Sequence, residues 1–120
     1  MDWGKVAKDL LAISEWPWGV ASGNFITCKF HGNDPDTGLA VAEVDCRKGS
    51  LPDLKFIAAA PRLLAEALVE KVTEVTRGHL DVFTTSAQKH PDIQLRCVVG
   101  ALTELRIDPV DYDEIKRRLG

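Results

Sequence analysis

Cys28-x-x-His31, with Cys46 further on, comes nearest in this chain to a metal site. Structural zinc takes four ligands, usually as closely spaced pairs on tight turns. Here the fourth ligand would have to be His79, His90 or Cys97, none of which is paired with another ligand. Cys28 and His31 also lie three apart on a stretch that reads as strand, so their side chains point to opposite faces. A core cysteine and a loop histidine fit better than zinc. Asp34-x-Asp36-x-Gly38, with Asp45 twelfth from Asp34, has the outline of a calcium loop. The EF-hand pattern needs an oxygen ligand fifth, glycine sixth and a bidentate glutamate twelfth. This chain has Gly38, Leu39 and Asp45 there, and a polar hairpin loop is the better reading.

Nucleophilic catalysis needs a cysteine or serine with a base in reach and a third group to orient it. His31, His79 and His90 are the available bases, and Cys97 falls within an apolar helical stripe. There is no Gly-x-Ser-x-Gly, no P-loop and no Gly-x-Gly-x-x-Gly. The carboxylate pairs Glu66/Glu70 and Glu70/Glu74 are helix-surface neighbours at i, i+4. The residues therefore argue against an enzyme, and they call for neither metal nor cofactor.

Three features remain as candidates for recognition. Trp16-Pro17-Trp18 sets two large rings around a rigid residue. Tryptophan is enriched at binding hot spots, but it also closes the ends of small cores, and the structural role is the stronger reading. Glu66, Glu70 and Glu74 make an acidic helix face. Lys116-Arg117-Arg118 is the only basic run; it ends a helix, where cations complement the helix dipole, and the alternative is a phosphate-contact patch. The formal net charge of −3 does not supply the basic surface that non-specific nucleic-acid binding draws on.

These residues have to be positioned by a small set of elements. Asp2 caps a first helix whose apolar face is Trp3, Val6, Ala7, Leu10 and Leu11, and Ser14 to Pro17 ends it. Trp18–Ser22, Phe25–His31 and Leu39–Asp45 read as three antiparallel strands. Gly23-Asn24 is a two-residue turn between the first two, because both residues tolerate positive φ. Residues 32–38 are dense in turn formers. A sheet this small needs a helix on one face, and Asp53–Arg77 supplies it. Pro61 opens its second piece or kinks it. Its apolar stripe is Ala60, Leu63, Leu64, Ala67, Leu68, Val72 and Val75, and Gly78 suits its end. Leu80–Gln88 is ambiguous. Asp92–Leu105 is a further helix with the stripe Leu95, Val98, Val99, Leu102 and Leu105, apolar enough for core or interface. Asp108-Pro109 breaks it, and Asp111–Leu119 follows with Tyr112, Ile115 and Leu119 inward.

The expected architecture is α+β: a three-stranded antiparallel meander packed against the Asp53–Arg77 and N-terminal helices, with additional C-terminal helices, in a single domain over residues 1–120. At 120 residues a chain buries roughly two thirds of its unfolded surface. An apolar fraction of 45% with 28% charged residues suits a soluble domain. No run approaches the ~20 apolar residues needed to span a bilayer, and Met1-Asp2-Trp3-Gly4-Lys5 is not a signal peptide. A cytoplasmic location follows as the expectation. In that reducing compartment Cys28, Cys46 and Cys97 are expected as buried thiols, although Cys28 and Cys46 on neighbouring strands have the geometry for a disulfide.

The segment Phe56-Ile57-Ala58-Ala59-Ala60-Pro61-Arg62-Leu63-Leu64-Ala65-Glu66-Ala67-Leu68 resembles one found in many small phage- and prophage-encoded proteins, roughly (L/F)IAAAP-x-LL-x-AL. Trp16-Pro17-Trp18 and Leu39-Ala40-Val41-Ala42-Glu43-Val44 resemble the family's Pro-Trp element and the second strand of its hairpin. Together the matches cover about half the chain. The family opens with Thr-Pro-Gly-Pro-Trp where this chain has Ser14-Glu15-Trp16-Pro17-Trp18. It often carries Ala-Asn-Ala where this chain has Leu51-Pro52-Asp53-Leu54-Lys55. The resemblance implies the fold of the first half and a phage or prophage origin; it carries over no catalytic residue. With the absence of catalytic constellations it leads to the expectation of a non-catalytic accessory protein that binds a host or phage protein, for example to modulate the host or a defence system. The alternative is a nucleic-acid-associated regulator that uses the C-terminal helices.

Overall fold

The computed structural model describes residues 1–43 and 51–120. Val44, Asp45 and Cys46, which the sequence reading placed in the third strand and in the candidate metal patterns, lie outside the described residues. The fold is α+β, with a three-stranded antiparallel meander and helices before and after it. In chain order it runs α1 (Trp3–Ala12), β1 (Gly19–Ala21), β2 (Phe25–Cys28), β3 (Leu39–Glu43), α2 (Leu51–Leu80), α3 (Thr85–Gln88), α4 (Pro91–Leu105) and α5 (Pro109–Leu119). The chain divides into two compact units, Leu11–Leu64 and Met1–Leu10 with Ala65–Gly120.

The first unit holds the sheet and the first half of α2. Gly19 pairs with Thr27 and Ala21 with Phe25, so the connection is Ser22-Gly23-Asn24, one residue longer than the expected turn. Gly23 and Asn24 do take positive φ, +78° and +64°. β2 stops at Cys28, not at His31, because Lys29 turns the chain at φ +54°. A bulge breaks the β2–β3 register between Ile26 and Thr27, which pair with Ala42 and Ala40. The extra residue, Val41, packs with Trp18 and Val20 against a core of Ile26, Leu54 and Ala58.

Ile26, Thr27 and Cys28 are all buried, where strict alternation would have exposed Thr27. The loop after β2 explains this. Thr27 donates its hydroxyl to the Pro35 carbonyl at 2.6 Å, and a Cβ on Gly38 would stand 2.6 Å from the Cys28 carbonyl oxygen. The loop thus packs close against β2. Asp34 caps the 3-10 turn Pro35–Thr37 by accepting from the Asp36 N–H. Asp36 accepts from the Ser22 N–H at 2.6 Å and from the Ser22 hydroxyl at 3.1 Å. Of the acids in the calcium-like pattern, Asp34 thus caps the turn and Asp36 pins the loop to the hairpin.

The helix α2 is continuous from Leu51 to Leu80 with Pro61 inside it, where the sequence reading had a segment Asp53–Arg77 with Pro61 as the opening of a second piece or as a kink. Its inward stripe is also different. Leu54, Ala58, Pro61, Ala65, Leu68 and Val72 are buried, while Leu63 and Leu64 face out. The buried positions recur at i+4, i+7, i+11, the spacing of one helical face. The sequence reading followed the bulkier residues. The fold instead buries Leu54, Ala58, Pro61 and Ala65 and leaves the bulkier Phe56 and Leu63 outside.

The second unit contains most of α1, the second half of α2, and α3 to α5. Ala7, Leu10, Ala65, Leu68, Val72, Cys97, Ala101, Leu102, Ile107, Tyr112 and Ile115 are its buried apolar residues. Met1–Leu10 belongs with this unit, whereas the sequence reading set the first helix over the sheet. Asp2 caps α1 through the Lys5 N–H, as expected. The ambiguous stretch after α2 is a turn and then α3, capped by Thr84. His90 caps α4 through its Nδ1, and Asp108 caps α5. Arg106 ends α4 in the left-handed region at φ +59°, and the Ile107 N–H returns to the Leu102 carbonyl at 2.9 Å. On α4, Cys97, Ala101 and Leu102 are buried whereas Leu95 and Val99 are exposed. That stripe is again turned from the one the sequence suggested.

Candidate interaction surface

Trp16 and Trp18 have separate tasks. Trp16 is 2% exposed and joins Pro17 through a cis peptide bond. It is a core residue. Trp18 is half-buried against Ile26, Leu54 and Ala58, and its Nε1–H donates to the Ser14 carbonyl at 3.0 Å. That bond and the packing beneath hold the indole in one orientation, with part of the ring left at the surface.

Glu66, Glu70 and Glu74 are all exposed on α2, one turn apart. Lys71 approaches Glu74 at 3.5 Å, a surface contact worth little by itself. At the other end of the chain, Lys116-Arg117-Arg118 is engaged with α5 itself. Arg117 and Arg118 both meet Glu114, and Lys116 Nζ lies 5.4 Å from the Tyr112 ring centroid. The hydrogen bond from Arg117 above all holds the Glu114 carboxyl well down, to about 2; desolvation opposes it, and the Arg118 hydrogen bond and the charges of both arginines add smaller lowering effects. Burial, with the neighbouring Asp113 charge adding to it, pushes the Tyr112 phenol up. With Glu114 offsetting one of its three charges, the basic run presents less charge to a phosphate than its sequence implies.

His31 is exposed while Cys28 is buried, so this pair does not converge. Cys28 and Cys97 are free thiols. Among the described residues no three His, Cys, Asp or Glu side chains are grouped to hold a metal ion. Among them also, no helix is long and apolar enough to cross a membrane.

The surface that sequence reasoning missed lies on α2. Phe56 is 69% exposed and Leu63 51%; with Ile57 and Leu64, also exposed, they give the first half of the helix a second apolar face. The spacing 56, 60, 63, 67 alternates four and three, the signature of a helical seam, and it runs opposite the buried Leu54, Ala58, Pro61 and Ala65. That signal was present in the sequence, but there it merged with the core stripe.

Beside this face a cleft of about 400 Å³ lies between the Pro17–Val20 backbone and α2, lined by Trp18, Lys55, Ala58, Ala59 and Arg62. Trp18 forms a fixed wall, the two alanines leave the floor open, and both charged lining residues are cations. Comparison with protein-family models, with curated proteins and with solved structures finds no match for this chain.

Proposed function

We propose that this chain is a non-catalytic accessory protein of phage or prophage origin that acts by binding a host or phage protein. The outer face of the first half of α2 is its contact surface. The observation that carries the reading is the exposure of Phe56 and Leu63 on a helix whose opposite face already serves the core. Exposed apolar patches mark association sites, and Phe56 and Leu63 form one on the side of α2 away from Leu54 and Ala58. The phage origin rests on the sequence resemblance around Phe56–Leu68.

The test is a tagged pull-down from host lysate, with and without nuclease, read by mass spectrometry for the parent and for a Phe56→Ser/Leu63→Ser variant. A protein recovered by the parent in both arms and lost by the variant, at unchanged melting temperature, supports the reading. Equal recovery by the variant removes this face. Recovery that vanishes with nuclease shifts the function to nucleic acid and to the C-terminal helices.

A further inference from the structure

We propose that the outer face of α2 is covered, in the free protein, by the same face of a second copy of this chain, with the two helices running antiparallel. The proposal rests on the reading of that face as an interaction surface and names what occupies it when no other protein does.

The first argument is spacing. Phe56, Ala60, Leu63 and Ala67 fall at steps of four, three and four on one helix, the pattern of a two-helix seam. Ile57 and Leu64 run along one side of that seam, and both are exposed, as Phe56 and Leu63 are.

The second argument is size, and it selects the occupant. Large and small residues alternate along the seam: phenylalanine, alanine, leucine, alanine. Facing layers fill space when a large side chain meets a small one. Parallel pairing in register sets Phe56 on Phe56 and Leu63 on Leu63, and leaves the alanine layers hollow. Antiparallel pairing sets Phe56 over Ala67 of the second copy and Leu63 over Ala60 of the second copy. The two-fold axis repeats both contacts, so every layer holds one large and one small side chain. In the same register Ile57 comes alongside Leu64 of the second copy. This order of sizes is complementary to its own reverse, which is what a second copy supplies.

The third argument is charge. Continued at the same spacing, the seam runs into Glu70 and Glu74. Parallel pairing would set each glutamate against its own counterpart, and like charges placed together are costly. Antiparallel pairing parts them to opposite ends. There Asp53 and Lys55 of one copy lie beside Glu70 and Lys71 of the other, so each end holds both signs. The run from Phe56 to Ala67 is about 16 Å long. A seam this short makes a small interface, so the dimer should form reversibly, with a Kd of about 10–100 µM.

The test is sedimentation equilibrium of the full chain from about 5 µM to about 1 mM. Two variants and their equimolar mixture accompany it. Leu63→Glu changes an exposed position and Ala60→Lys a half-buried one; melting temperatures at the lowest concentration check that each variant folds. The parent should move from the mass of one chain to that of two as concentration rises. Each variant alone should self-associate more weakly by about a hundredfold or more. Mixed, they should regain the dimer, because Lys at position 60 of one then meets Glu at position 63 of the other while the remaining Leu63 still meets Ala60. A variant that had merely lost its fold would show no such rescue.

A parent that stays monomeric at the highest concentration overturns the proposal, as does a dimer that survives Leu63→Glu. Variants that dissociate and are not rescued by mixing overturn the antiparallel register. A monomeric parent whose captured partner is still lost by Phe56→Ser/Leu63→Ser overturns the dimer alone and leaves the face as the surface for another protein. Failure of that wider reading shows separately, as equal capture by that double variant.

Discussion

Three glycines in helices make opposite predictions for the same substitution. A Cβ at Gly4, in α1, would stand 2.2 Å from the carbonyl oxygen of Arg106, well inside any van der Waals contact. Arg106 is the left-handed cap of α4, and the Ile107 N–H is tied back to Leu102 just beyond it, so the oxygen belongs to backbone that cannot swing away. Gly4→Ala has to part α1 from the end of α4. Overpacking of this kind costs about 1–3 kcal/mol, and the helix-propensity gain of glycine to alanine returns only about 1 kcal/mol. The net is destabilising by up to ~2 kcal/mol, and at the per-residue unfolding entropy of globular proteins that lowers the melting temperature by up to about 8 °C. Gly78, in α2, has nothing within 4 Å of the Cβ position. Gly78→Ala should therefore keep the whole propensity gain, about 1 kcal/mol, and raise the melting temperature by about 4 °C. Gly100, in α4, sits between these, with the His79 ring 3.3 Å from the added methyl. That ring is a side chain that can rotate, so Gly100→Ala should be close to neutral. Scanning calorimetry on the three variants gives the order Gly78→Ala, Gly100→Ala, Gly4→Ala from most to least stable. A Gly4→Ala protein more stable than the parent by the about 1 kcal/mol of the propensity gain would refute the close approach of α1 to the α4 cap.

Removing Trp16, at 2% exposure, as Trp16→Ala should cost about 3–5 kcal/mol in urea unfolding, while Leu63→Ser, at a half-exposed helix position, should cost about 1 kcal/mol or less; comparable losses would mean that the outer face of α2 serves the core. Asp36→Ala deletes both acceptors of Ser22 and should cost about 1 kcal/mol, with exchange protection of the Ser22 amide lost in hydrogen-exchange NMR. Glu114 should titrate with a midpoint of about 2 in carboxyl ¹³C NMR. Its folded pKa is depressed, so its contribution to stability is present above the ordinary carboxylate range and is lost as pH falls towards 2. A midpoint in the ordinary range would show that Arg117 and Arg118 do not hold it.

The three strands, the capped first helix and the C-terminal helices were legible because each rests on local chemistry. Asp2 satisfies orphan N–H groups of the helix that follows it, Asp108-Pro109 separates the last two helices, and Gly23-Asn24 supplies positive φ. What was not legible needed knowledge of the neighbour. Strand alternation cannot foresee that a loop will fold over β2 and bury Thr27 as well as Ile26 and Cys28. Nothing local marks Lys29 to end that strand. Pro61 reads as a start or a kink from its own geometry, yet the packing of Leu54, Ala58, Ala65 and Leu68 on either side carries one helix through it.

The inward face of α2 is the most instructive difference, because it bears on function. Between Leu51 and Ala67 the helix offers two apolar faces, and volume alone favours Leu63 and Leu64 as the core. The fold chooses Leu54, Ala58, Pro61 and Ala65, since a small sheet covered by Trp18, Val20 and Val41 leaves room for a closely seated helix and not for a row of leucines. Burying the slim face leaves the bulky one outside, where it brings the fold no stability and carries the usual liability of exposed apolar surface. Charge follows the same division along the helix: Lys55 and Arg62 flank the outer face in its first half, and Glu66, Glu70 and Glu74 occupy the second. A surface kept only to stay in solution would have polar residues at Phe56 and Leu63, so their presence there argues for a partner that covers them.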